Sequence, residues 1–166
     1  MVSTSGSQLL PLKAIRELRE LLLPLTTILT PNVPEAKLLL SNAGIPVSDP
    51  HSLEDLIDIA RKVYALGPKW VLVKGGHLPF QKDGKTVARK DEDREKVVDV
   101  LVGQEGAAVR IESAYQNSRN THGTGCSLAC KVSFALFLVL IREKRLIKRS
   151  GYYFESREWI GCGASC

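Results

Sequence analysis

The chain has 166 residues, 44% of them hydrophobic, which suffices for one domain with its own core, and no stretch reaches the roughly 20 apolar residues of a membrane span. Its net charge of +5 is unevenly distributed, because residues 1–130 hold 16 Lys/Arg and 15 Asp/Glu whereas residues 131–166 hold 7 and 3. Residues 1–130 are therefore nearly neutral, which argues against nucleic-acid binding. No basic segment followed by an apolar run marks a signal peptide, and the four cysteines are expected to be reduced thiols in the cytoplasm.

The first elements follow from apolar spacing and proline. Apolar side chains at helical spacing predict a helix over residues 11–23. A short β-branched run predicts a buried strand over residues 26–30. Pro34 suits the first position of a helix, which is predicted over residues 34–41.

A capping pattern marks the next helix. Ser52 and Asp55 resemble a capping box, and Gly67-Pro68 supplies the stop. One helical face carries the apolar residues Leu53, Leu56, Ile57, Ala60, Val63 and Tyr64. Strands are predicted over residues 70–73, 97–102 and 107–111, with a charged connection over 81–96 that contains a short strand at 86–88. This alternation predicts an α/β domain with a largely parallel sheet, whose functional groups lie at the carboxyl ends of the strands.

The segment 120–127, Asn-Thr-His-Gly-Thr-Gly-Cys-Ser, has the pattern of an anion site. Gly123 and Gly125 allow the backbone to approach a ligand closely, and the apolar run from Leu128 predicts a helix directly after them. The unpaired N–H groups and the positive dipole end of a helix start bind anions. Cys126 falls in that first turn, where a thiolate is favoured. A phosphate cradle beside an activated thiol indicates phosphoryl transfer.

Two other loops carry the remaining groups that phosphoryl transfer needs. This reaction requires a carboxylate for the metal, a cation, backbone donors for the phosphates and a base for the hydroxyl proton. Glu35 and Lys74 are the candidate carboxylate and cation, and each follows an apolar strand. The amides of residues 123–126 and the thiol of Cys126 are the candidate donors and base.

Each of these residues also has a simpler interpretation. Glu35 suits the positive end of a helix as a first-turn acid, and Lys74 suits a solvated strand end. Cys126 alone has the character of a small buried side chain. The cysteine pairs 126/130 and 162/166 are spaced too loosely to favour zinc, and His77 and His122 are interpreted as loop or packing residues. Kinase chemistry is favoured only because Glu35, Lys74 and the segment 120–127 occur together and in this order.

Four motifs in order resemble the hydroxymethylpyrimidine/phosphomethylpyrimidine kinases of thiamine biosynthesis, members of the ribokinase-like superfamily. The motifs are Thr30-Pro-Asn-Val-Pro-Glu-Ala36, Val71-Leu-Val-Lys-Gly-Gly-His77, Val98-Asp-Val-Leu101 and the segment 120–128. The resemblance covers about residues 1–130. It implies a three-layer α/β/α, mostly parallel fold and phosphorylation, with ATP and Mg²⁺, of hydroxymethylpyrimidine and then of its monophosphate.

The resemblance also implies roles for single residues. Glu35 would hold Mg²⁺ directly or through water, Asn32 would line the nucleotide-phosphate region, and Lys74 would neutralise phosphate charge. The backbone amides of Gly123, Thr124, Gly125 and Cys126 would hold the transferring phosphoryl group. Cys126 would stand where the family has its proposed catalytic base, while sugar kinases of the superfamily use Asp there.

Both ends depart from the family pattern. The resemblance implies that the family's domain begins before Met1 and that the preceding half carries the early strands and most of the pyrimidine pocket. Residues 131–166 hold six of the ten aromatic residues and form a basic tail unlike the family. Because Lys131-Val-Ser can be encoded by AAG-GTA-AGT, a splice-donor pattern, our hypothesis is that 131–166 is translated intron. The alternative is a basic amphipathic helix that binds anionic membrane or nucleic acid.

The sequence therefore supports three functional hypotheses. The first is the pyrimidine kinase, whose partners are its small-molecule substrate and ATP, with no nucleic acid and no membrane. The second is a pyridoxal-type or sugar kinase of the same superfamily. The third is a non-catalytic fragment, which we expect for this 166-residue product because a half sheet exposes an unpaired strand edge. A homodimer is an expectation for the full-length parent.

Overall fold

The computed structural model describes residues 10–76, 78–103, 106–116, 128, 130–133 and 135. The helices are α1 (Leu12–Glu17), α2 (Val33–Asn42) and α3 (Leu53–Tyr64), with a π-helical turn Leu18–Leu22 and short 3₁₀ turns at Leu23–Leu25 and Asp91–Asp93. The strands are β1 (Ile28–Leu29), β2 (Trp70–Val73), β3 (Pro79–Phe80), β4 (Lys96–Val102) and β5 (Ala108–Ala114). The chain divides into two compact units, Met1–Asn117 and Ser118–Cys166, and the first contains all these elements.

The five strands form one mixed sheet. β1 and β2 are parallel, with Leu29 opposite Val71. β2 and β3 are both antiparallel to β4, and β5 runs antiparallel along the whole of β4. The α/β class is confirmed, but among the described strands only one pair is parallel, so the expectation of a mostly parallel sheet does not hold for this part of the chain.

The positions of the helices between the strands explain this difference. Between β1 and β2 the chain makes α2 and α3, which is long enough for the crossover that parallel strands require. Between β2 and β5 the described residues form no further α-helix that could carry the chain across the sheet for a parallel pairing, and β4 and β5 are joined directly by a short connection. The mixed sheet therefore follows from where the helices stop along the sequence.

The core lies between α3 and one face of the sheet. One face of α3 is buried through Leu53, Leu56, Ile59, Ala60 and Val63. It packs against alternate valines of β2 and β4, which are Val71, Val73, Val98, Val100 and Val102. α2 packs on α3, and α1 packs on α2. The predicted face of α3 is confirmed except that Ile59 is buried where Ile57 and Tyr64 are only partly covered.

Several boundaries differ from those expected. The predicted helix over 11–23 is an α-helix only to Glu17, and the predicted strand over 26–30 is reduced to two residues. No strand is assigned over residues 86–88, although Val87 forms an isolated bridge to Phe80 of β3. Residues 128, 130–133 and 135 are helical, as predicted for the run that starts at Leu128. In the part of the chain that the structure describes, no helix is long and apolar enough to cross a bilayer.

Candidate functional site

Asn32 and Glu35 form a reciprocal cap at the start of α2. The Glu35 amide donates to Asn32 Oδ1 at 2.8 Å, and the Asn32 amide donates to Glu35 Oε2 at 3.1 Å. This is a capping box, in which two of the helix's first N–H groups are satisfied by side chains three residues apart. The predicted first-turn acid is therefore present, and the cap fixes a carboxylate at the positive end of the helix dipole.

Lys74 lies beside this cap because two neighbouring strands end together. Asn32 follows β1, Lys74 follows β2, and the two residues form a parallel bridge. The Lys74 amide donates to the Pro31 carbonyl at 2.8 Å. Asn32, Glu35 and Lys74 are all half-buried. The structure thus brings together a carboxylate, an amide side chain and a cation at one edge of the sheet, as the sequence predicted for the first two loops.

Asp99 is a further charged residue at this edge, and the sequence reasoning gave it no role. Because Val73 pairs with Val100 in antiparallel register, Asp99 comes next to the turn that follows β2. Its Oδ1 accepts a hydrogen bond from the Gly75 amide at 2.8 Å. Burial raises the pKa of Asp99, while the Gly75 hydrogen bond and the positive charge of Lys74 act against that rise. The sequence signal that could have identified Asp99 is a lone acid within the otherwise apolar run 97–102.

The turn after β2 requires glycine at one position. A Cβ on Gly75 would stand 2.0 Å from the Val98 carbonyl oxygen, so the backbone of the turn lies directly against β4. Gly76 has nothing within 4 Å of its Cβ position and is exposed. The Leu78 amide closes the turn on the Gly75 carbonyl at 2.7 Å.

Gly123, Thr124, Gly125 and Cys126 lie outside the described residues, as do His77 and His122. Their roles stay predictions. The described edge supplies chemistry that suits a phosphate and its metal: carboxylate oxygens are ligands for Mg²⁺, and a lysine balances phosphate charge. The described residues include no group of three or more His, Cys, Asp or Glu side chains placed to hold a metal by themselves. One or two carboxylates fit Mg²⁺ nevertheless, since this ion takes its remaining ligands from water and phosphate.

Comparison with known proteins finds relatives that match most of this chain. A chloroplastic thiamine biosynthetic bifunctional enzyme from Arabidopsis thaliana is 38% identical over 137 residues, covering 82% of this chain and 22% of that protein. A hydroxymethylpyrimidine/phosphomethylpyrimidine kinase from Bacillus subtilis is 34% identical over 134 residues, covering 80% of this chain and 42% of that protein. The chain therefore spans less than half the length of these relatives.

The fold has solved counterparts. An ADP complex of Bacillus subtilis pyridoxal kinase matches with a TM-score of 0.54 and 31% identity, covering 76% of this chain and 40% of that one. A family model described as phosphomethylpyrimidine kinase matches residues 1–140. This range includes the capped helix α2, the turn after β2 that begins at Lys74 (the Lys74 turn) and the segment 120–127 (the glycine segment). The chain belongs to the phosphomethylpyrimidine kinase family.

Proposed function

We propose that this chain forms the nucleotide- and metal-binding side of a kinase that phosphorylates hydroxymethylpyrimidine and then its monophosphate in thiamine biosynthesis. The observation that carries the proposal is the bridge between Asn32 and Lys74, beside the Glu35 carboxylate. These three residues lie together where β1 and β2 end and α2 begins. The names of the two curated relatives support the reaction and the pathway.

In this proposal each residue has one task. Lys74 balances the charge of the nucleotide phosphates, and Asn32 lines the same region. Glu35 holds Mg²⁺ directly or through water, and the ion, when bound, neutralises charge on the phosphates. ATP is the phosphoryl donor, as the ADP complex of the related pyridoxal kinase supports.

The chemical step falls to the glycine segment. The amides of Gly123, Thr124, Gly125 and Cys126 hold the transferring phosphoryl group. The Cys126 thiolate takes the proton of the substrate hydroxymethyl group, whose oxygen bonds to the γ-phosphorus as the bond to ADP breaks. A helix start favours the thiolate form of a cysteine, which is the form that this role requires.

Binding and turnover test this proposal separately on the purified 166-residue chain. Mg·ATP affinity is measured by calorimetry for the wild type, Lys74→Met and Glu35→Gln. Lys69→Met, which removes an exposed lysine before β2, is the matched control. We expect weaker binding in the first two variants and wild-type affinity in the control. A wild type that does not bind Mg·ATP, or a Lys74→Met variant that binds as well, would contradict the proposed site.

Turnover decides between a catalyst and a non-catalytic piece of one. Formation of ADP with hydroxymethylpyrimidine is compared in wild type, Cys126→Ala and Cys130→Ala, the last a control at an exposed cysteine. We expect this chain alone to bind nucleotide without turnover. ADP formation that Cys126→Ala abolishes and Cys130→Ala retains would contradict that expectation and establish the base.

A pyridoxal-type kinase is the second candidate, and its support is the structural match to the pyridoxal kinase at 31% identity. Competition between pyridoxal and hydroxymethylpyrimidine, measured on a full-length relative that contains this segment, separates the two substrates. A cytoplasmic location stays a prediction, since the Arabidopsis relative is named as chloroplastic.

A further inference from the structure

Asp99 carries a cost that its strand does not otherwise explain. It is a half-buried carboxylate in β4, where its neighbours Val98 and Val100 are fully buried. Removing a carboxylate from water is unfavourable unless hydrogen bonds replace the lost hydration. Position 99 lies on the other face of the strand from Val98 and Val100, and a valine there would extend the apolar run without this cost, so the contact that the carboxylate makes distinguishes this position.

That contact is with the backbone of the Lys74 turn. Asp99 Oδ1 accepts the Gly75 amide at 2.8 Å, and the same glycine is pressed against the Val98 carbonyl so closely that no Cβ fits. The adjoining amide of Lys74 donates to the carbonyl of Pro31, which lies just after β1. Two successive amides are thus anchored to two different parts of the chain, the segment after β1 and strand β4, which leaves little freedom to the backbone that carries the lysine.

We propose that Asp99 is a positioning residue, whose carboxylate oxygen anchors the Gly75 amide and thereby fixes the turn that presents Lys74, beside Asn32, to nucleotide phosphates. This inference rests on the proposed function. Asp99 touches no substrate and acts only through the turn. Its negative charge works against an incoming anion, so its contribution is as a hydrogen-bond acceptor and not as a charge.

Two substitutions separate the acceptor from the charge. Asp99→Asn removes the charge and keeps an oxygen that accepts the Gly75 amide. Asp99→Val removes both and suits a strand. We expect Mg·ATP to bind Asp99→Asn with wild-type affinity or up to about threefold more tightly, because a repulsive charge is gone. We expect Asp99→Val to bind about tenfold more weakly, the equivalent of about 1.4 kcal/mol.

The control and the second readout exclude a general effect on charge or folding. Asp93→Ala changes the net charge equally at an exposed position and is expected to bind as the wild type does. Hydrogen exchange of the Gly75 amide, followed by NMR in the full chain without nucleotide, reports the anchor directly. We expect protection in wild type and Asp99→Asn, and at least about tenfold faster exchange in Asp99→Val. If Asp99→Val does not fold, Asp99→Thr, whose hydroxyl is too short to reach Gly75 as a carboxylate does, takes its place.

The outcomes distinguish this inference from the proposed function. Weak binding and fast Gly75 exchange in Asp99→Val, both restored in Asp99→Asn, support the positioning role. Equal Mg·ATP affinity in wild type and Asp99→Val overturns the positioning role alone. Equally weak binding in Asp99→Asn and Asp99→Val also overturns it, since the charge would then be what matters. Failure of the wild type to bind Mg·ATP overturns the proposed function and this inference with it.

Discussion

Gly75→Ala tests the packing of the Lys74 turn against β4. The added Cβ would stand 2.0 Å from the Val98 carbonyl oxygen, whereas real Cβ atoms essentially never come closer than 3.0 Å to a neighbour. The obstacle is backbone of a paired strand, which cannot rotate away as a side chain does. The turn must therefore move away from β4 by about 1 Å, since closer approach is overpacking.

The cost of this movement can be worked out from the contacts that it breaks. A shift of that size stretches the hydrogen bond between Gly75 and Asp99 from 2.8 Å to ~3.8 Å, which is no longer a hydrogen bond. Overpacking costs about 1–3 kcal/mol, and a hydrogen bond to a charged group contributes about 1.5–3 kcal/mol. We expect Gly75→Ala to lower the free energy of unfolding by about 3 kcal/mol, a large part of the roughly 5–15 kcal/mol typical of a domain.

Urea unfolding followed by circular dichroism measures this loss, with Gly76→Ala as the matched control. The neighbouring glycine has nothing within 4 Å of its Cβ position and no positive φ. Its substitution is expected to be neutral or to stabilise by up to about 1 kcal/mol through the unfolded chain. A Gly75→Ala protein within about 0.5 kcal/mol of Gly76→Ala would refute the close packing of this turn, because surface substitutions stay within that range.

Three further changes test the core, the cap of α3 and the half-buried acid Asp99. Leu56→Ala removes a fully buried side chain of α3 and is expected to lower the free energy of unfolding by about 3 kcal/mol, and a urea midpoint near that of the wild type would contradict it. Ser52→Ala removes the oxygen that accepts the Asp55 amide at 3.2 Å; we expect a loss of about 1 kcal/mol, which a change under about 0.3 kcal/mol would exclude. Asp99 has a raised pKa in the folded state, so its contribution to stability is present below its ordinary value of 3.8 and is lost as pH rises through the raised value. The free energy of unfolding of Asp99→Asn, measured at several pH values, should therefore increase relative to that of the wild type as pH rises through the raised pKa of Asp99. An increase relative to the wild type as pH falls would contradict the raised pKa.

The capped helices show how far local patterns reach. Ser52 and Asp55 satisfy each other three residues apart, and the expected capping box is present. Asn32 and Glu35 form the same arrangement at the start of α2, so the interpretation of Glu35 as a first-turn acid is confirmed beside its candidate role at the metal. Both capping boxes depend on side chains three residues apart, so the spacing in the sequence is enough to predict them.

Strand orientation was less accessible from the sequence. β2 and β4 read correctly as apolar strands, yet nothing in their composition distinguishes a parallel from an antiparallel partner. The short strand β3, Pro79–Phe80, lies just before the connection predicted over residues 81–96 and was not predicted. The mixed sheet thus emerged only when the strands were paired in three dimensions.

What the sequence by itself determined about this protein is its family and its local elements: the order of motifs, the apolar faces and the helix caps. What the tertiary structure decided is which distant residues meet. Gly75 and Asp99 are 24 positions apart, and only the antiparallel register of β2 and β4 puts a carboxylate on that amide. A cap depends on neighbours along the chain, whereas a cross-strand contact depends on the packing of the whole sheet, and that is why the residue proposed to position Lys74 could be assigned only from the fold.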